Sequence, residues 1–296
     1  MNSGPSRRLA VVIVNYNAGC HLEACLSSIA EQLAGFDWEA VVIDNCSTDG
    51  SEQTVARFSP RASLVQNPEN LGFARAINQG VAATTAPFVL LLNPDARVLP
   101  GAVESMYAEL LSHPECGVIG PAIVNEDGSI QGSARGDPDM ITGLFGRSTL
   151  LTRLFPRAAL ARRNVMTSVA SRPGETSVEV DWVSGASMLL RRDVFNQIGG
   201  FDERFFLYWE DADFCRRVRT AGSRVRYHPD VRVVHAVGRS SRTIRALAVR
   251  EFHRSAYLYY SLHVARSRWH PARWMAFVLL RARCWWVLRR EAATSR

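Results

Sequence analysis

Three continuous apolar runs in this chain each stop abruptly on short oxygen-bearing side chains. Residues 9–14 (LAVVIV) end in Asn15-Tyr16-Asn17, residues 40–43 (AVVI) in Asp44-Asn45, and residues 87–92 (PFVLLL) in Asn93-Pro94-Asp95. Runs that are apolar at every position, and not at alternate ones, suit strands buried on both faces. Pro94 ends the third run because it has no N–H to donate to a ladder. Helical spacing lies between the runs: residues 21–32 place Leu22, Cys25, Leu26 and Ile29 on one face, Ser47-Thr48-Asp49-Gly50-Ser51 reads as a helix start rich in capping side chains, and further helices are expected over 74–81, 101–111 and 209–221. Additional strands are expected over 62–66 and 231–234, with a pair of strands within 177–190. Strands alternating with helices specify an α/β fold with a mostly parallel central sheet. In such open sheets ligands bind outside the carboxyl ends of the strands. Asn15 and Asn17, Asp44 and Asn45, and Asn93 and Asp95 are therefore expected to line one crevice. Any one of these pairs is also an ordinary turn; three in the same place ask for a shared reason.

Asn93 and Asp95 offer two short oxygen ligands one residue apart, suited to a hard divalent cation holding a diphosphate. Asp44, after the second strand, stands where an acid can accept hydrogen bonds from a base or ribose, or can simply cap a turn. Neither G-x-G-x-x-G nor a P-loop is present, so other ways of holding phosphates are required. A second acidic site is Tyr208-Trp209-Glu210-Asp211-Ala212-Asp213 at a helix start. The helix dipole favours the ionised carboxylates there, while burial and mutual repulsion oppose it. A carboxylate balanced between those effects can act as a general base; the bland alternative is acidic decoration of a helix start. His235 ends the last strand and is either a structural histidine or a distant ligand to the same cation. Trp182 is either core packing or an apolar wall for a sugar or acceptor, and Gly72 and Gly185 serve either special backbone conformations or close packing.

Charge is distributed unevenly. All 35 basic residues are Arg, and the net charge is +7. From Arg239 onward there are thirteen Arg against Glu251 and Glu291, or +11, which leaves −4 for the rest. Trp269, Trp274, Phe277, Trp285 and Trp286 interleave with that basic segment, a composition suited to an anionic membrane interface, to a polyanion, or to a packed helix pair. The expected organisation is an α/β domain over 1–238, with a flap at 135–177, and a basic aromatic helical region over 239–296. Six Cys without metal spacing read as reduced thiols of a cytoplasmic protein. No signal segment and no spanning helix is expected.

Together, the segments VVIVNYN (11–17), VIDNCSTDGS (42–51), NLGFA (70–74), LLNPD (91–95), VSGA (183–186) and WEDADFCRR (209–217) resemble the inverting family 2 glycosyltransferases, most nearly the bacterial rhamnosyltransferases. The resemblance implies a GT-A fold that moves a sugar from a nucleotide diphosphate to a hydroxyl by a single displacement. It assigns the donor nucleotide to Asn15, Asn17, Asp44, Asn45, Asn70, Gly72 and Asn93. It assigns a divalent cation, Mg²⁺ or Mn²⁺, to Asp95 and His235, and places Asn93 where the family motif has its first Asp. Asp211 takes the place of the catalytic base with Glu210 beside it, and Trp182, Ser184, Gly185 and Trp209 fall on the acceptor or sugar side. The implied partners are a dTDP- or UDP-sugar, with dTDP-L-rhamnose the first choice, and a lipid-linked or polysaccharide acceptor met at the inner face of the cytoplasmic membrane. A UDP-hexose or UDP-N-acetylhexosamine donor is the alternative within the fold, and a homodimer is allowed. A nucleic-acid-binding protein using the basic tail is the rival of another class; it leaves Asp44, Asp95 and Asp211 without a purpose, so no nucleic acid is expected.

Overall fold

The computed structural model describes residues 7–137, 176–236 and 245–294. The flap expected at 135–177 and the boundary expected at 238 fall almost wholly outside the described residues. The first half follows the apolar runs closely. β1 (Arg8–Asn15), β2 (Asp37–Asp44), β3 (Ala62–Gln66) and β4 (Phe88–Leu92) are parallel, in the order β3-β2-β1-β4. Asn15 pairs with Asp44 across β1 and β2, and Ile13 with Leu92 across β1 and β4. The register therefore brings the three polar strand ends to one edge.

Alternate residues of β1 feed two separate cores. Leu9, Val11 and Ile13 pack with α1 (His21–Gln32) and α3 (Ala102–Ser112) on one face of the sheet. Ala10, Val12 and Val14 pack with α2 (Phe73–Ala82), α4 (Arg192–Gln197) and α5 (Glu210–Thr220) on the other. Covering both faces is what makes uninterrupted apolar strands stable. Gly80 of α2 permits close approach: a Cβ there would stand 2.3 Å from Val12 Cγ1.

The second half is less parallel than its sequence suggests. β10 (Ser187–Arg191) runs antiparallel between β4 and β6 (Cys116–Val124), and β11 (Arg224–His235) lies parallel to β6. β5 (Ala96–Val98) closes the edge against β11, and β8 (Val178–Glu179) also pairs with β11. β7 (Ala134–Arg135) and β9 (Trp182–Val183) form a separate two-stranded ribbon. Four expectations are corrected here. β6 was not foreseen, because Gly117, Gly120 and Pro121 read as breakers. It is nonetheless buried throughout, and a Cβ on Gly120 would lie 2.7 Å from Val183 Cβ, so glycine there is close packing. The strand expected at 231–234 begins at Arg224, with an irregular register opposite Pro121, where a proline is tolerated. The two strands expected in 177–190 are three, divided between two sheets. The helix expected after Ser47 is a 3-10 helix over Ser51–Phe58, preceded by Gly50 at φ +75°.

The basic C-terminal region folds as α6 (Arg245–His263) and α7 (Pro271–Thr294), packed against each other. α6 is bound into the α/β body: Tyr259 packs on Trp209, Ser255 Oγ donates to the carbonyl of Leu207, and His263 Nε2 stands 2.7 Å from Asp213 Oδ1. Among the described residues, no helix is long and apolar enough to cross a membrane. All six cysteines are unpaired.

Candidate active site

The ends of β1 and β2 form the floor of the crevice. Asn15 is fully buried and Asp44 almost so. Asn15 Nδ2 lies 2.7 Å from Asp44 Oδ1, 2.9 Å from Ser51 Oγ and 3.1 Å from Ser47 Oγ. Asp44 also accepts the Ser47 hydroxyl at 2.6 Å and the Ser47 amide at 3.0 Å. These two residues thus organise the 45–51 loop from beneath. Above them, Asn17 (φ +52°) accepts the Thr48 amide at 2.8 Å, and Cys46 (φ +64°) turns the loop. Asn45 braces the neighbouring loop: its Nδ2 donates to the carbonyl of Gly72, and its Oδ1 accepts from Asn67 Nδ2. Asn70 Oδ1 accepts the Gly72 amide at 3.0 Å. Gly72 has φ +83°, and a Cβ there would meet the carbonyl oxygen of Phe206 at 2.5 Å. Glycine is therefore required on both counts. Ser47 and Ser51, read in the sequence as helix-start side chains, hold Asn15 and Asp44 instead, and Asn67 carries no sequence signal that separates it from a turn residue.

The end of β4 meets the end of β11. His235 Nε2 lies 3.1 Å from Asp95 Oδ1 and 3.2 Å from Asn93 Nδ2, although 140 residues separate His235 from Asp95 in sequence. The Ala236 amide donates to the Asp95 carbonyl, fixing the two strand ends side by side. A buried carboxylate beside an imidazole nitrogen is a donor set that a hard divalent cation accepts. Asn93 presents its amide nitrogen, so it would ligate only after a flip. Among the described residues no group of three or more His, Cys, Asp or Glu could enclose a metal. Two protein ligands leave coordination positions for diphosphate oxygens, as Mg²⁺-type sites commonly do. The residues fit such an ion held jointly with a donor.

The acidic pair stands at the start of α5. Tyr208 (φ +68°) and Trp209 (φ +70°) both adopt the left-handed conformation just before it. Two consecutive non-glycine residues in that region cost about 1–3 kcal/mol each and persist where surrounding structure dictates them. Here α6 does so: Phe252 packs on Tyr208 and Trp209, and Tyr259 on Trp209. Trp209 thus spends its ring faces on α6, leaving its buried indole N–H without a partner. Asp211 Oδ2 accepts the Gly185 amide at 3.0 Å, and Oδ1 accepts the Ala212 amide at 2.8 Å. Burial pushes the Asp211 carboxyl above the usual carboxylate range, and these amides together with the Arg135 charge oppose the rise. Glu210 is pushed up further, by burial and then by Asp211, and its Oε2 has no hydrogen-bond partner. Burial and mutual repulsion oppose two charges side by side here, and the two amides with Arg135 favour the ionised form at Asp211. Asp213 faces away, paired with Arg217 at 2.7 Å and with His263. It fastens α5 to α6.

Gly185 lies outside the left-handed region, and a Cβ there would stand at ordinary contact distance, 3.5 Å from Asp211 Cβ and 3.6 Å from Phe73 Cε1. Ser184 Oγ accepts the Ala186 amide and shapes this turn. Trp182 donates its indole N–H to the Gly136 carbonyl at 3.0 Å, and the Arg135 guanidinium lies 5.2 Å over its ring. Arg135 was read only as part of the flap, and nothing in sequence tied it to Asp211.

A family model described as "Glycosyl transferase family 2" matches residues 10–199. The chain is 34% identical over 282 residues to the N-acetylglucosaminyl-diphospho-decaprenol L-rhamnosyltransferase of Mycobacterium tuberculosis, covering 90% of this chain and 88% of that protein. It is 36% identical to the rhamnosyltransferase WbbL of Escherichia coli (strain K12) over 89 residues, which is 30% of this chain and 32% of the relative. Among solved structures, it superposes on a mannosyltransferase of Pyrobaculum calidifontis in complex with GDP-Man and Mn²⁺ with a TM-score of 0.56 at 20% identity, covering 99% of this chain and 83% of that one. GalNAc-T7 with UDP, GalNAc and Mn²⁺ superposes with a TM-score of 0.62 at 18% identity, and there the match spans 90% of this chain but about half (52%) of the other. The likeness shows a GT-A fold.

Proposed function

The chain belongs to the family 2 glycosyltransferases, and we propose that it transfers L-rhamnose from dTDP-L-rhamnose to a hydroxyl of a polyprenyl-diphosphate-linked sugar. The carrying observation is the convergence, on one sheet edge, of the Asp95–His235 pair and the Asp211 carboxylate beside Gly185. The loops after β1, β2 and β3 would hold the nucleotide, with Asn15 and Asp44 as their buried support. The donor and acceptor follow the full-length Mycobacterium relative, whose name states both a rhamnosyl transfer and an N-acetylglucosaminyl-diphospho-decaprenol substrate.

The reaction divides among the chain's own residues. The acceptor hydroxyl enters past Gly185, and Asp211 takes its proton as the oxygen attacks the anomeric carbon. The C–O bond to the diphosphate breaks from the opposite face, and dTDP departs with the electron pair. One displacement inverts the anomeric centre. Glu210, protonated, keeps a second negative charge away from Asp211, and Arg135 steadies the Asp211 anion. Asp95 and His235 would hold Mg²⁺ or Mn²⁺, which neutralises charge growing on the departing diphosphate when bound. Solved structures of the same fold that name Mn²⁺ in their titles support the use of a divalent cation in general.

The acceptor's lipid implies work at a membrane surface. α7 supports this: Trp274, Val278, Trp285 and Trp286 are each more than half exposed, and Arg289 and Arg290 lie over the last two rings. The test of the donor is a thermal-shift panel of dTDP- and UDP-sugars with and without Mn²⁺. A ligand that binds only the folded state raises Tm, by an amount corresponding to about 2.7 kcal/mol at one hundred times its Kd. dTDP-L-rhamnose with Mn²⁺ is expected to give the largest shift, reduced by EDTA. A larger shift with a UDP-sugar would overturn the donor.

A further inference from the structure

The turn that follows β6 carries a chain of side-chain hydrogen bonds whose direction is fixed at one end. Asp127 Oδ1 accepts the Ser129 hydroxyl at 2.5 Å and the Ser129 amide at 2.9 Å. Those bonds hold its carboxyl below the usual range, so it only accepts. The single Ser129 hydroxyl proton is thereby used, and Ser129 Oγ must accept from Asn125 Nδ2 at 2.8 Å. Asn125 then turns its Oδ1 to Gln131, whose Nε2 donates to it at 2.9 Å and to the His235 carbonyl at 2.9 Å. Both of those partners only accept, which settles the orientation of the Gln131 amide. Its Oε1 consequently faces His235 Nδ1 at 3.2 Å, and the ring nitrogen there must carry the proton. The ring so held turns Nε2 toward the end of β4, 3.1 Å from Asp95 Oδ1 and 3.2 Å from Asn93 Nδ2.

We propose that Gln131 is a positioning residue: the chain Asp127–Ser129–Asn125–Gln131 holds His235 in the tautomer whose Nε2 lone pair faces Asp95, so that the two form one clamp for a divalent cation. This rests on the reading of Asp95 and His235 as cation ligands. The logic is general: a ligating histidine needs its other N–H tied to a carbonyl, and loss of that tie typically costs 10–100-fold in metal affinity. What is particular here is that the tie is set from an exposed turn through three neutral side chains. The Gln131 backbone N–H donates to the Ile123 carbonyl at 2.8 Å, so the tie is built into the same turn that ends β6.

The test has two readouts on the full-length protein. Long-range ¹H–¹⁵N NMR of the imidazole, assigned with His235→Ala, reads the tautomer; Mn²⁺ titrated alone and followed by EPR reads affinity. The wild type is expected to show Nδ1–H. Gln131→Met should populate Nε2–H and weaken Mn²⁺ binding by about 10–100-fold, whereas Gln131→Glu, which keeps an acceptor for Nδ1–H, should retain the wild-type tautomer. Ser129→Ala, at an exposed site, should move both readouts in the same direction by less, and serves if Gln131→Met fails to fold. An Nε2–H tautomer in the wild type, or an unchanged tautomer in Gln131→Met, would overturn the proposal. Wild-type Mn²⁺ affinity in His235→Ala would instead overturn the cation reading beneath it.

Discussion

At the scale of single residues, Glu210 and Asp211 are neighbours with opposite tasks. Asp211 receives two amide N–H groups and the field of Arg135, while Glu210 has an oxygen with no partner. Asp211→Asn should keep donor binding and lower kcat by about 10²–10⁴-fold; transfer near the wild-type rate would remove Asp211 from the role of base. Because burial raises its carboxyl, kcat of the wild type should fall on acidification at a pH above that of an ordinary aspartate, as a pH–rate profile would show. Glu210 gives a prediction of the other sign. An acid with a raised folded pKa holds a proton that the unfolded chain has already lost, so stability falls as pH rises from the unfolded value of about 4.3 through the folded one. Glu210→Gln removes that loss. Its Tm relative to wild type should increase from about pH 5 to about pH 8; a gap that shrinks over that range would show that Glu210 is ionised.

At the scale of elements, the polar strand ends can cooperate only because β1, β2 and β4 share a register. α2 must sit close to β1 for the loop before it, with Gly72, to reach the crevice, and Gly80 allows that approach. Gly80→Ala would gain about 1 kcal/mol of helix propensity, but overpacking against Val12 costs about 1–3 kcal/mol. The clash is with a rigid β-branched side chain in the core, so we expect a net loss, read as a lower Tm in calorimetry; an unchanged or higher Tm would mean that α2 can slide. α6 plays the matching role for the acidic pair. It supplies Phe252 and Tyr259 under Tyr208 and Trp209, and His263 to Asp213, and so holds the strained turn that aims Asp211. The basic region therefore braces the turn before α5 and is not only an appendage.

At the scale of the whole molecule, α7 is the element with the least to hold it in the body. It buries Ala276 and Leu280 toward α6 while Trp269, Trp274, Trp285 and Trp286 stay exposed. Among charged residues, α7 carries five Arg and a single acid, Glu291. Exposed tryptophans with arginine suit an anionic interface. The protein should float with phosphatidylglycerol vesicles at low salt, float less as ionic strength rises toward about 1 M, where the Debye length is about 3 Å, and stay behind with phosphatidylcholine alone. Absence of flotation at low salt would sink the membrane contact. The α/β class, the parallel run β3-β2-β1-β4 and the crevice at its edge were legible in the chain, because buried strands and their stops are written in local hydrophobicity. The antiparallel insertion of β10, the glycine-rich β6 and the pairing of β11 were not, since their residues are chosen by neighbours distant in sequence. The same division runs through the site. Asp44, Asn93, Asp95 and Asp211 announce themselves by type and spacing. That Asp95 meets His235, that burial raises Glu210 and Asp211 while two amides favour the Asp211 anion, and that Gln131 faces the imidazole depend on burial and on hydrogen bonds between separate elements, which only the folded arrangement supplies.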